Sequence, residues 1–184
     1  MHIVDLRADD ETAIRQVAKL LVEDFATDFP DSWPDLESAR EEVQASFATG
    51  RISRVALDED ETVLGWVGGI SLYDGNVWEL HPLVVRVSHR VQGVGRALVA
   101  DLEECVKERG GLTITLGTDD LFDQTTLSGI NLFPNIWEHL NHLRNLKHHP
   151  YEFYQKQGYV IVGVVPDANG LGRPDILMAK SVVR

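Results

Sequence analysis

The residues best suited to chemistry form a basic loop near the middle of the chain, between a predicted strand and a predicted helix. Residues 84–98 read VVRVSHRVQGVGRAL, a segment in which Arg90, Gly93, Gly95 and Arg96 lie close together. Glycines let a ligand approach the backbone closely, and the free N–H groups at a helix start attract anions. Arginines add charge-assisted hydrogen bonds. The segment therefore predicts a binding site for a phosphate or pyrophosphate group.

Two other phosphate motifs do not match this loop. It contains no Gly-Lys-Ser/Thr, which a nucleoside triphosphate loop requires. Leu98 occupies the third-glycine position of the dinucleotide fingerprint. A Gly-x-Gly pair by itself also occurs in ordinary turns, so the interpretation depends on the elements around it.

A carboxylate and an imidazole lie two residues apart in the strand predicted before this loop. Because side chains alternate along a strand, Glu79, His81 and Leu83 are predicted to share one face. Pro82 cannot donate a ladder hydrogen bond, so the strand is predicted to be irregular there. Carboxylate and imidazole groups can position an amine or accept its proton.

Two further carboxylates, Asp119 and Asp120, follow a strand predicted over residues 112–116. Ligands of open α/β sheets bind at such strand ends, where carboxylates can hold substrate ammonium groups. The alternative is turn capping, which is common for Asp in loops. Four histidines match no strong metal-ligand spacing, so no metal site is predicted and surface or packing roles are favoured. They are His139, His142, His148 and His149.

Length and composition predict one domain over residues 1–184, since the chain has 184 residues and is 43% hydrophobic. A net charge of −12 favours a cationic small-molecule partner and disfavours nucleic acid. The chain has neither a run of ~20 apolar residues nor an export signal at its start, so no membrane association is expected. The single cysteine excludes an internal disulfide and fits a cytoplasmic location.

Periodicity and breakers predict the element order βααβββαβααββ, an α/β fold with a mixed central sheet and helices on both faces. Pro30 and Pro34 separate the first two helices. Predicted helices cover residues 11–25, 36–48, 92–109, 136–146 and 150–157, and predicted strands cover residues 2–6, 53–57, 63–72, 77–85, 112–116, 160–165 and 176–179. A long polar stretch over residues 117–134 is predicted to be a functional or mobile loop.

The sequence RVQGVG at residues 90–95 resembles the Arg/Gln-x-x-Gly-x-Gly/Ala signature of GNAT acetyltransferases, which bind the coenzyme A pyrophosphate there. The predicted element order agrees with the GNAT fold. Further blocks resemble the aminoglycoside 6'-N-acetyltransferases, whereas the first 50 residues resemble that family only loosely. These blocks are WELHPLVV at 78–85, LGTDD at 116–120, HPYEFY at 149–154, GY at 158–159 and the segment from PDANG at 166–170 through Lys180.

The resemblance implies an acetyl-CoA-dependent enzyme that passes an acetyl group directly to a primary amine of an aminoglycoside in a ternary complex. By similarity, the Leu83 amide would polarise the thioester carbonyl and the Val85 amide would hold the pantetheine arm. The coenzyme-binding residues implied in this way are Leu83, Val84, Val85, Arg90, Val91, Gln92, Gly93, Val94, Gly95, Arg96 and Tyr154.

The resemblance also suggests roles for side chains in catalysis. Glu79 would position the acceptor ammonium and accept its proton, directly or through water, with His81 assisting and Tyr154 as the general acid. Asp119 and Asp120 would bind further ammonium groups of the substrate. The alternatives are an exposed strand carboxylate for Glu79, a structural histidine for His81 and a packing tyrosine for Tyr154.

Two other functions stay open on the sequence alone. The chain could acetylate another amine, such as a polyamine, a peptide lysine or an N-terminus, or it could be a non-catalytic acyl-CoA-binding module. Retention of Glu79, His81 and Tyr154 argues against the non-catalytic module. The resemblance further implies a possible homodimer and a link to antibiotic resistance, without identifying the native acceptor.

Overall fold

A computed structural model describes residues 1–26 and 32–184. Its helices are α1 (Glu11–Phe25), α2 (Leu36–Ala45), α3 (Val94–Glu108), α4 (Ile136–Asn141) and α5 (Tyr151–Gln155). Its strands are β1 (His2–Asp5), β2 (Arg51–Leu57), β3 (Val63–Leu72), β4 (Val77–Val85), β5 (Thr113–Asp119), β6 (Val160–Val165) and β7 (Asp175–Ser181). Two compact units are distinguished, Met1–Ile114 with Val182–Arg184, and Thr115–Ser181.

The first unit is built on an antiparallel sheet in the strand order β1, β2, β3, β4. Helix α1 packs on the face that carries Trp66, because its apolar residues recur at helical spacing. Together they form a core with α2, in which Ile14, Val17, Leu21 and Trp66 are each at most 1% exposed. This core covers the face of β3 and β4 that packs against α1.

Helix α3 covers the opposite face of the same sheet. Two glycines of β3 make this close packing possible, since a Cβ at Gly65 would lie 2.9 Å from Leu98 and one at Gly69 would lie 2.9 Å from Leu102. Both leucines are fully buried. Helices therefore lie on both faces of the sheet in this unit, as predicted.

The second unit contains the continuation of β5, followed in the sheet by β7 and then β6. Strands β6 and β7 are antiparallel, with Val160 opposite Ala179 and Val165 opposite Asp175. The short helices α4 and α5 and the loop after β5 complete the unit. Strand β6 ends the strand order and is an edge strand.

The observed element order is the predicted one, and the differences lie at element ends. Helix α2 ends at Ala45, and α4 ends at Asn141, earlier than predicted. Strand β5 extends to Asp119, so this residue is the last of the strand rather than a loop residue. Pro30, predicted to separate the first two helices, lies outside the described residues. The single-domain organisation stays a prediction.

Candidate active site

The N-terminus of α3 presents free backbone donors in the first unit. The N-cap residues of α1 and α2 are Asp10 and Asp35, whose carboxylates accept hydrogen bonds from first-turn amides. The N-cap residue of α3 is instead Gly93, which provides no side-chain cap, and the first turn of α3 contains no acidic residue. The positive end of the helix dipole is thus uncompensated and suited to a phosphate.

The loop that leads into α3 has an unusual backbone. Gly93 adopts the left-handed conformation with φ 91°, and a Cβ there would meet no atom within 4 Å. Val91 also has positive φ, at 54°, although a β-branched residue is strained in this conformation, and its side chain is fully exposed. Strain of this kind is characteristic of ligand-binding loops.

The three arginines of this region differ in their surroundings. Nε of Arg86 donates to the Val63 carbonyl at 3.0 Å, and Nε of Arg90 donates to the Val85 carbonyl at 3.2 Å. Nη2 of Arg90 also lies 3.1 Å from a carboxylate oxygen of Asp24. Arg96 is exposed in the first turn of α3, beside the uncapped amides. Its guanidinium is therefore the one best placed to reach a bound anion.

Strand β4 contains a β-bulge at His81 and Pro82, as the proline predicts. Val67 pairs with Leu83 and Gly69 pairs with Leu80, so Gly68 alone faces two residues of β4. A Cβ at position 68 would collide with the His81 carbonyl oxygen, which explains the glycine. The bulge re-aims the side chains on its two sides.

The bulge corrects one prediction. Glu79 pairs with Ile70, on the face that carries Trp66 and α1, whereas Leu83 pairs with Val67, on the α3 face. Glu79 and Leu83 therefore do not share a face, because the extra residue of the bulge shifts the period-two alternation by one. The roles suggested for Leu83 and Val85 use backbone amides and do not depend on side-chain direction.

Glu79 is half-buried and His81 is exposed at the bulge. The buried Trp33, between α1 and α2, lies beside His81 with ring centroids 6.4 Å apart and packs edge-on against Phe25 at 4.7 Å. Sequence reasoning missed Trp33, since a lone tryptophan next to a proline gives no signal of what it contacts. An aromatic ring beside an imidazole suits a cationic amine.

In the second unit, the structure separates the two carboxylates at the end of β5. Asp120 is 0% exposed, and its oxygens accept hydrogen bonds from the Gln124 amide at 2.7 Å and the Thr125 amide at 2.8 Å. Burial acts to raise the pKa of Asp120, but the hydrogen bonds it accepts outweigh burial, and the pKa is lowered. Asp120 thus caps the following loop, which is the turn-capping alternative, and is no substrate ligand in this geometry.

Asp119 is more accessible than Asp120. It is partly buried, and one of its oxygens accepts a hydrogen bond from the side-chain amide of Asn169 at 2.6 Å. Asn169 lies within PDANG, one of the blocks that carry the family resemblance. A partly exposed carboxylate at the end of β5 is accessible to an ammonium group.

His149 has a packing role. It is 1% exposed, Nδ1 accepts a hydrogen bond from the Tyr151 amide at 3.2 Å, and Nε2 lies 3.2 Å from the Asp119 carbonyl oxygen. These partners place the proton on Nε2, and burial lowers the pKa of the ring. His149 thus connects the end of β5 to the start of α5.

Tyr154 lies on α5, and its side chain is packed between Phe153 at 5.0 Å and Tyr159 at 5.7 Å, measured between ring centroids. It is 9% exposed, and burial raises the pKa of its hydroxyl, so the phenol stays protonated at neutral pH. Among the described residues, none donates to or accepts from this hydroxyl at hydrogen-bond distance. The group is free to donate a proton to a ligand.

In the described part of the chain, no group of three or more His, Cys, Asp or Glu side chains is arranged to hold a metal ion. Within residues 1–26 and 32–184, no helix combines the length and apolar character needed to cross a membrane.

The family model described as "Acetyltransferase (GNAT) family" matches residues 16–126. Over 100% of the chain and 98% of the neighbour's, the structure is similar to an aminoglycoside 6'-N-acetyltransferase complexed with coenzyme A, with 41% identity and a TM-score of 0.91. The aminoglycoside 6'-N-acetyltransferase from Enterococcus faecium gives 41% identity, the same coverage and a TM-score of 0.90. Aminoglycoside 6'-acetyltransferase type Ii gives 37% identity, 100% and 99% coverage and a TM-score of 0.77. No curated protein sequence shows significant similarity to the chain.

Proposed function

Because the chain belongs to the acetyltransferase (GNAT) family and has its α/β fold, we propose that it transfers an acetyl group from acetyl-CoA to a primary amine of an aminoglycoside. The assignment of the acceptor depends on the 41% identity over 98% of the length of an aminoglycoside 6'-N-acetyltransferase complexed with coenzyme A. The acetyl-CoA dependence follows from family membership, and the acceptor is the proposed part.

The residues of the first unit fit a coenzyme with a pyrophosphate. The uncapped amides of Val94, Gly95 and Arg96 would bind it, with the Arg96 guanidinium adding charge. Acetyl-CoA supplies an activated acetyl thioester. The Leu83 amide would donate to the thioester carbonyl, and the Val85 amide would hold the pantetheine arm. The loop residues Arg90, Val91, Gln92 and Gly93 would give the backbone its shape, and Val84 lies between the two donor amides.

The acceptor amine must lose a proton before it can attack, because an alkylamine is mostly protonated at neutral pH. Glu79 would bind the ammonium and accept its proton, directly or through water, and His81 would assist by hydrogen bonding. The Trp33 ring beside His81 favours a cation there. Asp119 would bind another ammonium group of a polycationic sugar, in keeping with the net charge of −12.

A coenzyme A thiol-release assay over aminoglycosides, polyamines and lysine peptides tests this proposal. We expect kcat/KM for aminoglycosides with a free 6'-amine to exceed that for the other amines by at least about 100-fold, a discrimination worth nearly 3 kcal/mol. An aminoglycoside with a 6'-hydroxyl in place of the amine is the matched control and should not turn over. Preference for a polyamine or a peptide would replace aminoglycosides as the acceptor class.

The Glu79→Gln variant is expected to raise KM for the amine and to lower kcat. The amide keeps the shape of the side chain but removes the charge that attracts the ammonium and the basicity that takes its proton. We expect each parameter to change by about 10-fold or more, since general-base catalysis contributes at least this much. The rate should recover at higher pH, where the free amine is abundant.

Steady-state kinetics between pH 6 and pH 9 measure both effects. Glu108→Gln is a suitable control, because it removes the same charge at an exposed position at the end of helix α3, outside the proposed site. Wild-type kcat and KM for every accepted amine in Glu79→Gln would remove Glu79 from the mechanism and point to His81 or Asp119.

We also propose that the two units form one catalytic domain, since the family model spans their boundary at Ile114 and strand β5 runs across it.

A cytoplasmic location is proposed because the single cysteine is free. Resistance to aminoglycosides in cells that express the enzyme would follow from the proposed activity. This role is tested by removing the enzyme from such cells and measuring the inhibitory concentration of an aminoglycoside, which should fall.

A homodimer is the proposed oligomeric state. The edge strand β6 exposes three valines, Val160 at 60%, Val162 at 49% and Val165 at 43%, and an exposed apolar edge readily pairs with another chain. Sedimentation velocity should give a dimer for the wild type and a shift towards monomer for Val162→Lys. A monomeric wild type at micromolar concentration contradicts this proposal.

A further inference from the structure

The last turn of α1 carries a buried carboxylate that no sequence pattern marks as functional. The Asp24 side chain is 3% exposed, and one of its oxygens lies 3.1 Å from Nη2 of Arg90. Burial raises the pKa of Asp24, and the charge of Arg90 acts in the opposite direction. The neighbouring Glu23 is 51% exposed and pairs with Lys19 at 3.5 Å. Only Asp24 of these two acids is directed at the glycine loop.

The other side of the Arg90 guanidinium is also engaged. Its Nε donates to the carbonyl oxygen of Val85 at 3.2 Å, and Val85 is the last residue of β4 and pairs with Gly65 of β3. Arg90 therefore bridges the end of α1 and the end of β4. Both Arg90 and Arg96 are exposed, but two nitrogens of Arg90 are used within the protein, and this distinguishes it from Arg96.

We propose that Asp24 is a positioning residue for the coenzyme A site. It holds Arg90 against the Val85 carbonyl, and so fixes the end of β4 and the loop that leads into α3. Arg90 then acts through the backbone it fixes, and the direct charge contact to the pyrophosphate falls to Arg96. This inference rests on coenzyme A binding at the glycine loop, as proposed above.

The buried Asp24 carboxylate lies close to the proposed site of an anionic ligand. A carboxylate close to a site for an anionic ligand opposes binding, and the effect is stronger in a buried, low-dielectric place. Asp24 is tolerable there because Arg90 neutralises it. A guanidinium held at two points loses its conformational freedom on folding, so this entropy is not lost when the ligand binds.

The alternative is that Arg90 is a direct phosphate ligand for which Asp24 competes. The two possibilities predict opposite results for Asp24→Asn, which keeps the size of the side chain and removes its charge. A positioning role predicts weaker coenzyme A binding, because Arg90 and the loop become mobile. Competition predicts equal or tighter binding, because Arg90 is released and a negative charge is lost.

Titration calorimetry of coenzyme A decides between them. We expect about 5- to 10-fold weaker binding for Asp24→Asn, the size of the coupling lost when one ion pair is removed, with a thermal midpoint close to wild type. Glu23→Gln removes the same charge from the same turn and should stay within twofold of wild type. Equal or tighter binding by Asp24→Asn overturns the inference.

Two further measurements separate a positioning role from a direct one. The double variant Asp24→Asn/Arg90→Met should bind no more weakly than Arg90→Met, because both changes remove the same bridge. The salt dependence of the dissociation constant should be unchanged in Arg90→Met and smaller in Arg96→Met, since only a direct contact to phosphate is screened in this way. A reduced salt dependence in Arg90→Met also overturns the inference.

The Gly95→Asp variant distinguishes failure of this inference from failure of the site itself. If Gly95→Asp still binds coenzyme A, the glycine loop is not the coenzyme site. If Gly95→Asp loses binding while Asp24→Asn binds as wild type does, the site is correct and only the role of Asp24 is wrong.

Discussion

The Gly95→Asp variant is expected to bind coenzyme A more than about 100-fold more weakly than the wild type, because a like charge placed against the ligand costs several kcal/mol. Gly95 is the second residue of α3, where the first-turn amides have no side-chain cap. An aspartate there would accept from these amides itself and would repel the pyrophosphate. Titration calorimetry measures the loss.

The same substitution should leave the fold intact, which makes the test clean. A carboxylate in the first turn of a helix interacts favourably with the helix dipole, so the thermal midpoint should not fall. Ala100→Asp is the matched control, since it adds the same charge at an exposed position further along α3. Wild-type affinity in a folded Gly95→Asp protein would mean that the coenzyme binds elsewhere.

Replacing Tyr154 with phenylalanine is expected to lower kcat by about 10- to 1,000-fold, the range for loss of a general acid. The departing thiolate of coenzyme A needs a proton, and the buried hydroxyl of Tyr154 stays protonated because burial raises its pKa. Coenzyme A affinity should stay within about twofold of wild type, since only one hydroxyl is removed. Pre-steady-state kinetics report the chemical step.

Tyr151→Phe provides the control for Tyr154→Phe. Tyr151 is also buried and also lies on α5, three residues away, where its ring packs beside His149 at 5.4 Å. Its variant should keep wild-type kcat. The raised pKa of Tyr154 further predicts no loss of kcat through ionisation of this group up to about pH 10. A kcat within twofold of wild type for Tyr154→Phe, with chemistry rate-limiting, excludes the general-acid role.

Local patterns in the sequence determined the elements and the coenzyme loop. Helix α1 was predicted with its observed ends because its apolar residues recur at helical spacing, and β3 and β4 were predicted because turns flank them. The glycine loop needed only contiguous residues, since a phosphate cradle at a helix start is built from backbone and short-range conformation. The irregularity of β4 followed from Pro82, because proline cannot donate to a ladder.

Only the tertiary structure decided what each side chain contacts. The bulge at His81 and Pro82 placed Glu79 and Leu83 on opposite faces, because one extra residue inverts the alternation that the sequence predicted. Asp119 and Asp120 are adjacent in the chain, yet Asp120 is buried and accepts hydrogen bonds from two amides of its own loop, while Asp119 stays accessible. Such differences depend on burial, which no local pattern encodes.

The pairing of Asp24 with Arg90 is another contact that local sequence patterns do not predict. The two residues are separated in the chain by α2 and three strands, and their contact exists only because α1 packs on the sheet beside the end of β4. The sequence by itself thus determined the family, the elements and the backbone of the coenzyme loop. Which charges meet around that loop was decided by packing, because long-range contacts depend on how the elements are assembled rather than on their own residues.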